Sequence, residues 1–433
     1  MAEPTKLLAM GERLRAHRKR LDLTLDAMGA ALSNIVWELH HKHVAISGDK
    51  VSKWERGECR PIPLYREAYR VYCDASDEDL GFTWPEPQGL AGSGAAAAMP
   101  ASTWQAARVE ALRQDLDGTV SQGAPTTAAL DDWEQTIARH GRATRDRAAG
   151  LLLDDLAGDL RDLQQLHARC RSVSALRQVV RMVAQMSGLV CLTFIKLDDR
   201  TAFRRWARTA RIAATEADDL ETFAWVLAHE AYGHYYSGDL AEAINVAACA
   251  RAVAGETACV GAVLAMALEA RAHAALGRPR ETRDALSQAE AILAHLDADL
   301  QVASAFGYTE AQLRFHEGNA YTHLRDVRAA WTAQERALEL CSPGDYTDRT
   351  MIQLDRARCL MHDGDPAAAM ASMLETLAAL PNEQRQGLIT LRAHEVLQAV
   401  PSRHWELAPV REVRDLLMLP APAKTKAKEA NGS

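Results

Sequence analysis

The alternation of apolar and polar positions changes character near residue 84 and again near residue 104. Before the first point the apolar residues come in short helical periods. Met10 to Leu21 reads as a basic amphipathic helix and Thr24 to Leu32 as a second, begun by the Thr24 hydroxyl; Leu64 to Tyr72 is another, after the stop Arg60-Pro61-Ile62-Pro63. Between them lies the most constrained stretch, Ile46 to Gly57. Ser47 is a good N-cap, Ile46 and Val51 have the spacing of a hydrophobic staple, and Gly57 can take positive φ and end the helix. Val51 and Trp54 make one apolar face, while Asp49, Ser52, Lys53 and Arg56 recur on the other. One side is built for burial and the other is polar with two cations, Lys50 lying just beside them.

After Asp77-Glu78-Asp79-Leu80-Gly81 the first domain closes near Phe82, giving a domain of residues 1–84. Residues 85–103 mix proline, glycine and alanine and read as a flexible linker. From Trp104 the pattern is helix after helix. Trp104 to Leu116 and Thr127 to His140 are two, and Leu153, Leu156, Leu160, Leu163 and Leu166 form a stripe that reads as core, since flanking heptads do not continue it. Residues 104–190 are expected to be a helical connector and dimerisation region. Beyond it the turns Asp198-Asp199-Arg200, Gly238-Asp239-Leu240, Gly277-Arg278-Pro279, Gly318-Asn319-Ala320 and Gly364-Asp365-Pro366 recur at intervals of 39, 39, 41 and 46 residues. That is a little above the roughly 34 of a tetratricopeptide unit, and small residues such as Ala241, Ala243, Ala247 and Ala248 let paired helices approach. Residues 191–418 are therefore expected to be a tetratricopeptide-like solenoid closed by a helix from Arg403 to Met418, with 419–433 a disordered tail. The fold class expected is all-α, a helix-turn-helix bundle followed by that solenoid.

The N-terminal arrangement resembles the Cro/repressor-type (XRE-like) helix-turn-helix domains, in particular the larger actinobacterial regulators with a tetratricopeptide-like C-terminal half. Val51-Ser52-Lys53-Trp54-Glu55-Arg56-Gly57 is the most specific run. The resemblance makes Ser47 to Gly57 the recognition helix and its stop, and Thr24 the start of the supporting helix. It makes Arg18 and Glu55 a charged pair tying the first helix to the recognition helix, and Gly29 the small residue where the two central helices meet. The DNA-contacting set it implies is Thr24, Ser47, Gly48, Asp49, Lys50, Ser52, Lys53, Arg56 and Arg60, supported by Arg18, Glu55, Val51 and Trp54. Two features depart from the family pattern. Leu25 stands where the family usually has a phosphate-contacting Gln, and Ser33 to Ala45 lengthens the central turn, through which the supporting helix can run on along Ile35-Val36-Trp37-Glu38-Leu39.

Charge supports a nucleic-acid partner only once it is divided. The chain carries −8 overall, but residues 1–73 hold 13 Lys and Arg against 9 Asp and Glu, a basic head on an acidic body. Eight cysteines without CxxC pairing, no signal peptide and no apolar run near 18 residues lead to the expectation of a cytoplasmic protein with reduced thiols and no membrane partner. His229 and His234 lie five apart, which fails the spacing of a zinc-protease helix, and His40, His41 and His43 lack a spaced Cys or carboxylate. No phosphate loop or nucleophile elbow is present, so neither enzyme, metal nor cofactor is expected.

The aromatics Trp206, Phe223, Trp225, Tyr232, Tyr235 and Tyr236 gather in the first repeats, and any that face the groove would anchor a peptide, small molecule or protein effector. The function expected is a DNA-binding transcriptional regulator, a homodimer on double-stranded DNA whose body senses an effector. The alternative is a protein–protein interaction scaffold with weak or lost DNA binding.

Overall fold

The computed structural model describes residues 3–40, 44, 46–82, 113 and 125–417; among them there are nineteen α-helices and no strand. The expected linker, most of the Trp104–Leu116 helix, His41 and His43 and the 419–433 tail lie outside the described residues. The chain divides into two compact units, Met1–Pro100 and Ala101–Ser433, called head and body below.

The head comprises α1 (Glu3–Arg20), α2 (Leu25–His40), α3 (Gly48–Glu55), α4 (Pro63–Cys73) and α5 (Asp77–Leu80). Its core is drawn from every helix: Met10 and Leu14, Met28, Leu32 and Val36, Val51 and Trp54, Tyr69 and Leu80. On α2 the spacing of Met28, Leu32 and Val36 keeps one stripe inward to the end, which is why the helix runs on to His40. The returning chain is fastened to it, since the Ile46 amide donates to Ser33 Oγ at 3.0 Å. Close backbone approach fixes the other junctions. A Cβ on Gly29 would stand 2.2 Å from the Ile46 carbonyl oxygen, and one on Gly11 2.5 Å from that of Glu55.

The body comprises α6 (Thr127–Ala143), α7 (Ala149–Arg169), α8 (Val173–Lys196), α9 (Arg200–Ala217), α10 (Leu220–Tyr236), α11 (Leu240–Ala254), α12 (Val260–Ala275), α13 (Pro279–Ala294), α14 (Glu310–Leu324), α15 (Val327–Leu340), α16 (Tyr346–His362), α17 (Pro366–Ala378), α18 (Leu388–Gln398) and α19 (Ala408–Leu416). From α8 on, each even-numbered helix packs on the odd one after it and also on the next even one, so α8, α10, α12, α14, α16 and α18 form a continuous row. Composition explains who goes where. The sequence of α12 is apolar on every side and all but a few of its residues are buried, whereas α9 is apolar on one stripe and turns five arginines outward. A recurring device makes the turns: a residue of positive φ followed by an Asp whose carboxylate accepts from the first-turn amides, as at Asp198-Asp199, Asp218-Asp219, Gly238-Asp239, Arg325-Asp326 and Gly364-Asp365.

Three sequence expectations need correction. Gly318-Asn319-Ala320 is not a turn but lies inside α14, where a Cβ on Gly318 would meet Gln334 Cγ of α15 at 2.7 Å; the glycine serves helix packing, and the turn is Arg325-Asp326. The boundary at residue 190 falls inside α8, because α6, α7 and α8 share one hydrophobic core with α10 to α14. Finally, α8 is long and apolar enough to cross a membrane by length and composition; 67% of its apolar window is buried against neighbours.

Candidate nucleic-acid interface and effector site

Helix α3 is held from behind. Val51 is 0% and Trp54 2% exposed, and the Trp54 ring lies 5.5 Å from that of Tyr65 and 5.9 Å, edge-on, from that of Tyr69. Glu55 is buried at its end, where Arg18 grips the carboxylate with two bonds, Nε to Oε1 at 2.6 Å and Nη2 to Oε2 at 2.8 Å. The same guanidinium donates to the Leu23 carbonyl at 2.8 Å, so one side chain joins α1, the end of α3 and the turn before α2. The pair expected from the resemblance is thus in contact.

The front of α3 has a mixed character. Ser47, Asp49, Lys53 and Arg56 are exposed, Lys50 and Ser52 half-buried and Gly48 buried. Ser47 caps the helix, its Oγ accepting from the Lys50 amide at 3.4 Å. Gly48 is committed to packing: its amide donates to Asp26 Oδ1 at 3.0 Å, and a Cβ there would collide with the same carboxylate. Lys50 Nζ donates to the Tyr65 hydroxyl at 3.2 Å and stands 4.4 Å above that ring. Lys53 pairs with Asp49 at 2.9 Å, one helical turn back, while Arg56 pairs with Glu58 at 2.5 Å and also bonds the Ser52 hydroxyl. Thr24 is exposed and caps α2 through the Ala27 amide at 3.1 Å; Arg60 is exposed beyond α3, and Leu25 is half-buried against the head core. The surface offers cations whose acidic partners are themselves exposed and easily exchanged for phosphate.

In the body Trp225 and Tyr235 are buried, and Trp206, Phe223, Tyr232 and Tyr236 half-buried. The chain's own 298–308 segment covers Trp225: the indole Nε1 donates to the Ala305 carbonyl at 2.6 Å, and Phe306 lies 4.8 Å from its ring. The tyrosines belong to a polar ladder with members on five helices of the buried row. Tyr235 Oη donates to Asn319 Oδ1 at 2.9 Å, and Arg271 donates to the same oxygen at 2.8 Å and to Tyr236 Oη at 2.9 Å. Asn319 Nδ2 then donates to Asp355 Oδ2 at 2.7 Å, and Arg392 Nε to Asp355 Oδ1 at 2.9 Å. Burial acts to raise the Asp355 pKa, but Arg392 and Asn319 overcome it and hold the carboxyl below its ordinary range. Arg271 is 0% exposed and sits 4.3 Å from the Tyr235 ring.

His229 and His234 have other work. The His229 ring lies tilted 4.4 Å from that of Trp225, its Nδ1 donating to the Trp225 carbonyl at 2.9 Å, and burial pushes its pKa down to about 4. His234 lies edge-on to Phe203. Among the described residues no group of His, Cys, Asp and Glu is arranged to hold a metal, and all eight cysteines are free thiols.

Asp26 under α3 had no sequence signal, because its partner is 22 residues away. Arg271 did have one, an arginine within a largely apolar helix. No protein-family model, no curated protein and no solved structure matches the chain.

Proposed function

We propose that the chain is a cytoplasmic DNA-binding transcriptional regulator, with a Cro/repressor-type head and a tetratricopeptide-like body that dimerises and senses an effector. The observation that carries the reading is the seating of α3: Val51, Trp54 and Glu55 fix its back to α1, α2 and α4, while Ser47, Asp49, Lys53 and Arg56 are exposed on its front. The row of stacked helical pairs supports the body's half of the reading. The test is to select bound genomic fragments with the purified full chain, and to measure affinity against salt. A regulator enriches one operator sequence, with log affinity falling linearly as log salt rises, by about 0.9 per phosphate neutralised.

One head reads one half-site, so selective binding requires two, and the homodimer follows from that need. Light scattering on the full chain checks it. A monomer well above the DNA dissociation constant, still bound to a single half-site, would move the reading to the interaction scaffold. That second reading also has an observation behind it. Lys53 and Arg56 each have a carboxylate partner within the head, which is how a surface retired from DNA binding would neutralise itself.

A further inference from the structure

We infer that the interior of the body contains a binding site for a small molecule with an oxyanion head, a carboxylate or a phosphate, held between Lys196, Arg145 and Tyr308. The residues come from three separate places in the chain: Arg145 follows α6, Lys196 is the last residue of α8, and Tyr308 ends the long segment between α13 and α14. They line a cavity of about 50 Å³, together with His229, His316 and Asp348. A second chamber of about 240 Å³ shares Arg145, Gln312, Phe315 and Asp348 with it, leaving room for the rest of a ligand.

The donors in this cavity exceed what the protein gives them to bond. Tyr308 is 1% exposed, yet its hydroxyl has no hydrogen-bond partner. Arg145 uses Nη1 on Asp348 at 2.8 Å and on Asp345 at 3.4 Å and Nη2 on the Ser304 carbonyl, but its buried Nε has no partner. Lys196 donates to the Thr144 carbonyl and has no carboxylate of a described residue within 4.0 Å; burial penalises its charge, which Asp345 and Asp348 favour from further away. Two cations and a buried hydroxyl without a partner therefore line the same cavity. A buried polar group left without a partner is costly, and a cavity needs only roughly 10–15 Å³ to take a water, so this one has room for acceptors. An oxyanion supplies several at once and neutralises the unpaired ammonium. The Nδ1–H of His229 is committed to a carbonyl, which leaves Nε2 and the Asp348 carboxylate to accept from a hydroxyl or amine beside the oxyanion.

The site deepens the sensing half of the proposed function and rests on it only for its consequence at DNA; binding is measured on the full chain without DNA, so failure here and failure of the DNA-binding reading are separate results. Titration calorimetry and thermal melting with acetate, succinate, glutamate, citrate, inorganic phosphate and glucose 6-phosphate, at ionic strength fixed with sodium chloride, would distinguish carboxylate from phosphate. The expected result is saturable binding of one class, with a raised body melting temperature. Tyr308→Phe removes only the unpartnered hydroxyl, so the variant should melt no lower than the wild type without ligand and yet bind about tenfold or more weakly. Lys196→Met should abolish binding. No saturable binding of any of these probes overturns the proposal. So does a Tyr308→Phe protein that binds as tightly as the wild type, or one that loses stability irrespective of ligand, which is the behaviour of a hydroxyl serving structure alone.

Discussion

Head and body solve opposite problems with the same kinds of residue. The head buries its apolar side chains and the Arg18–Glu55 junction and spends its other charged groups on the surface, where Lys53, Asp49, Arg56 and Glu58 trade partners in solvent. The body sends charge inward, with Arg271 wholly buried and Arg392 and Asp355 nearly so. On the proposed function, recognition in the head is a matter of what is displayed, and in the body of what is enclosed. An exposed pair contributes about 0–1 kcal/mol and can be exchanged for an external phosphate at little cost, whereas one half of a buried pair cannot be removed without leaving a charge stranded.

The sharpest way to separate the two units is to damage each core alone. Trp54→Ala should cost roughly 3–5 kcal/mol and unfold the head while the body keeps its melting transition. A head as heat-stable as the parent would contradict the inward placement of the indole. In the body, Asp355→Asn leaves Arg392 without its buried anion and should cost about 3–5 kcal/mol, seen as a lowered denaturant midpoint for that unit only. If Asp355→Asn is as stable as the wild type, the ladder is not what orders the row.

Acid should also discriminate. His229 is held neutral by burial, with a pKa of about 4 in the folded body against 6.5 in an unfolded chain; His323 is pushed to about 3 by the same cause, and His316 is lowered as well. The unfolded chain therefore binds more protons than the native one between those values. Body stability is full above pH 6.5 and falls as pH drops towards 4, by roughly 3 kcal/mol for His229 alone. Asp345 works the other way, since burial first and the neighbouring Asp348 second raise its pKa to about 6, so its protonation returns part of the loss. Urea midpoints of the body at pH 7 and pH 5 should differ in that direction; equal midpoints would mean that the histidines are hydrated.

Much of the head was legible because its signals are local. Ser47, the Ile46 to Val51 staple, Gly57 and the Val51 and Trp54 face each involve residues within a few positions of one another. The Arg18–Glu55 contact came only from the resemblance, since nothing local relates residues 37 apart. In the body, the positive-φ residue and Asp cap marked three of the five turns named from sequence, and Gly277 has the positive φ without the Asp, but Gly318 looked like another and was a packing glycine. The aromatic cluster was visible, while its use was not: Trp225 is covered by Ala305 and Phe306, about 80 residues further along, and such long-range closure leaves no periodicity to read. Lys196 and Arg271 stood out as cations ending or interrupting apolar helices, a signal that deserved the weight given to the aromatics.

The smallest effects are expected on the display side. Lys53→Ala and Arg56→Ala should each leave both melting transitions in place and lower DNA affinity, by about 1–3 kcal/mol where a base contact is lost. Replacing Lys50 should weaken binding too, but with a small loss of head stability, because Lys50 also bonds Tyr65.

The central claim is that the free face of α3 reads DNA, and it is tested most directly by selecting genomic fragments in parallel with the full-length protein and with a Lys53→Ala, Arg56→Ala double variant. The wild type should enrich a discrete inverted repeat, and the double variant, melting as the wild type does, should enrich none. Enrichment of the same sequence by both proteins, or of no sequence by the wild type, would contradict the account.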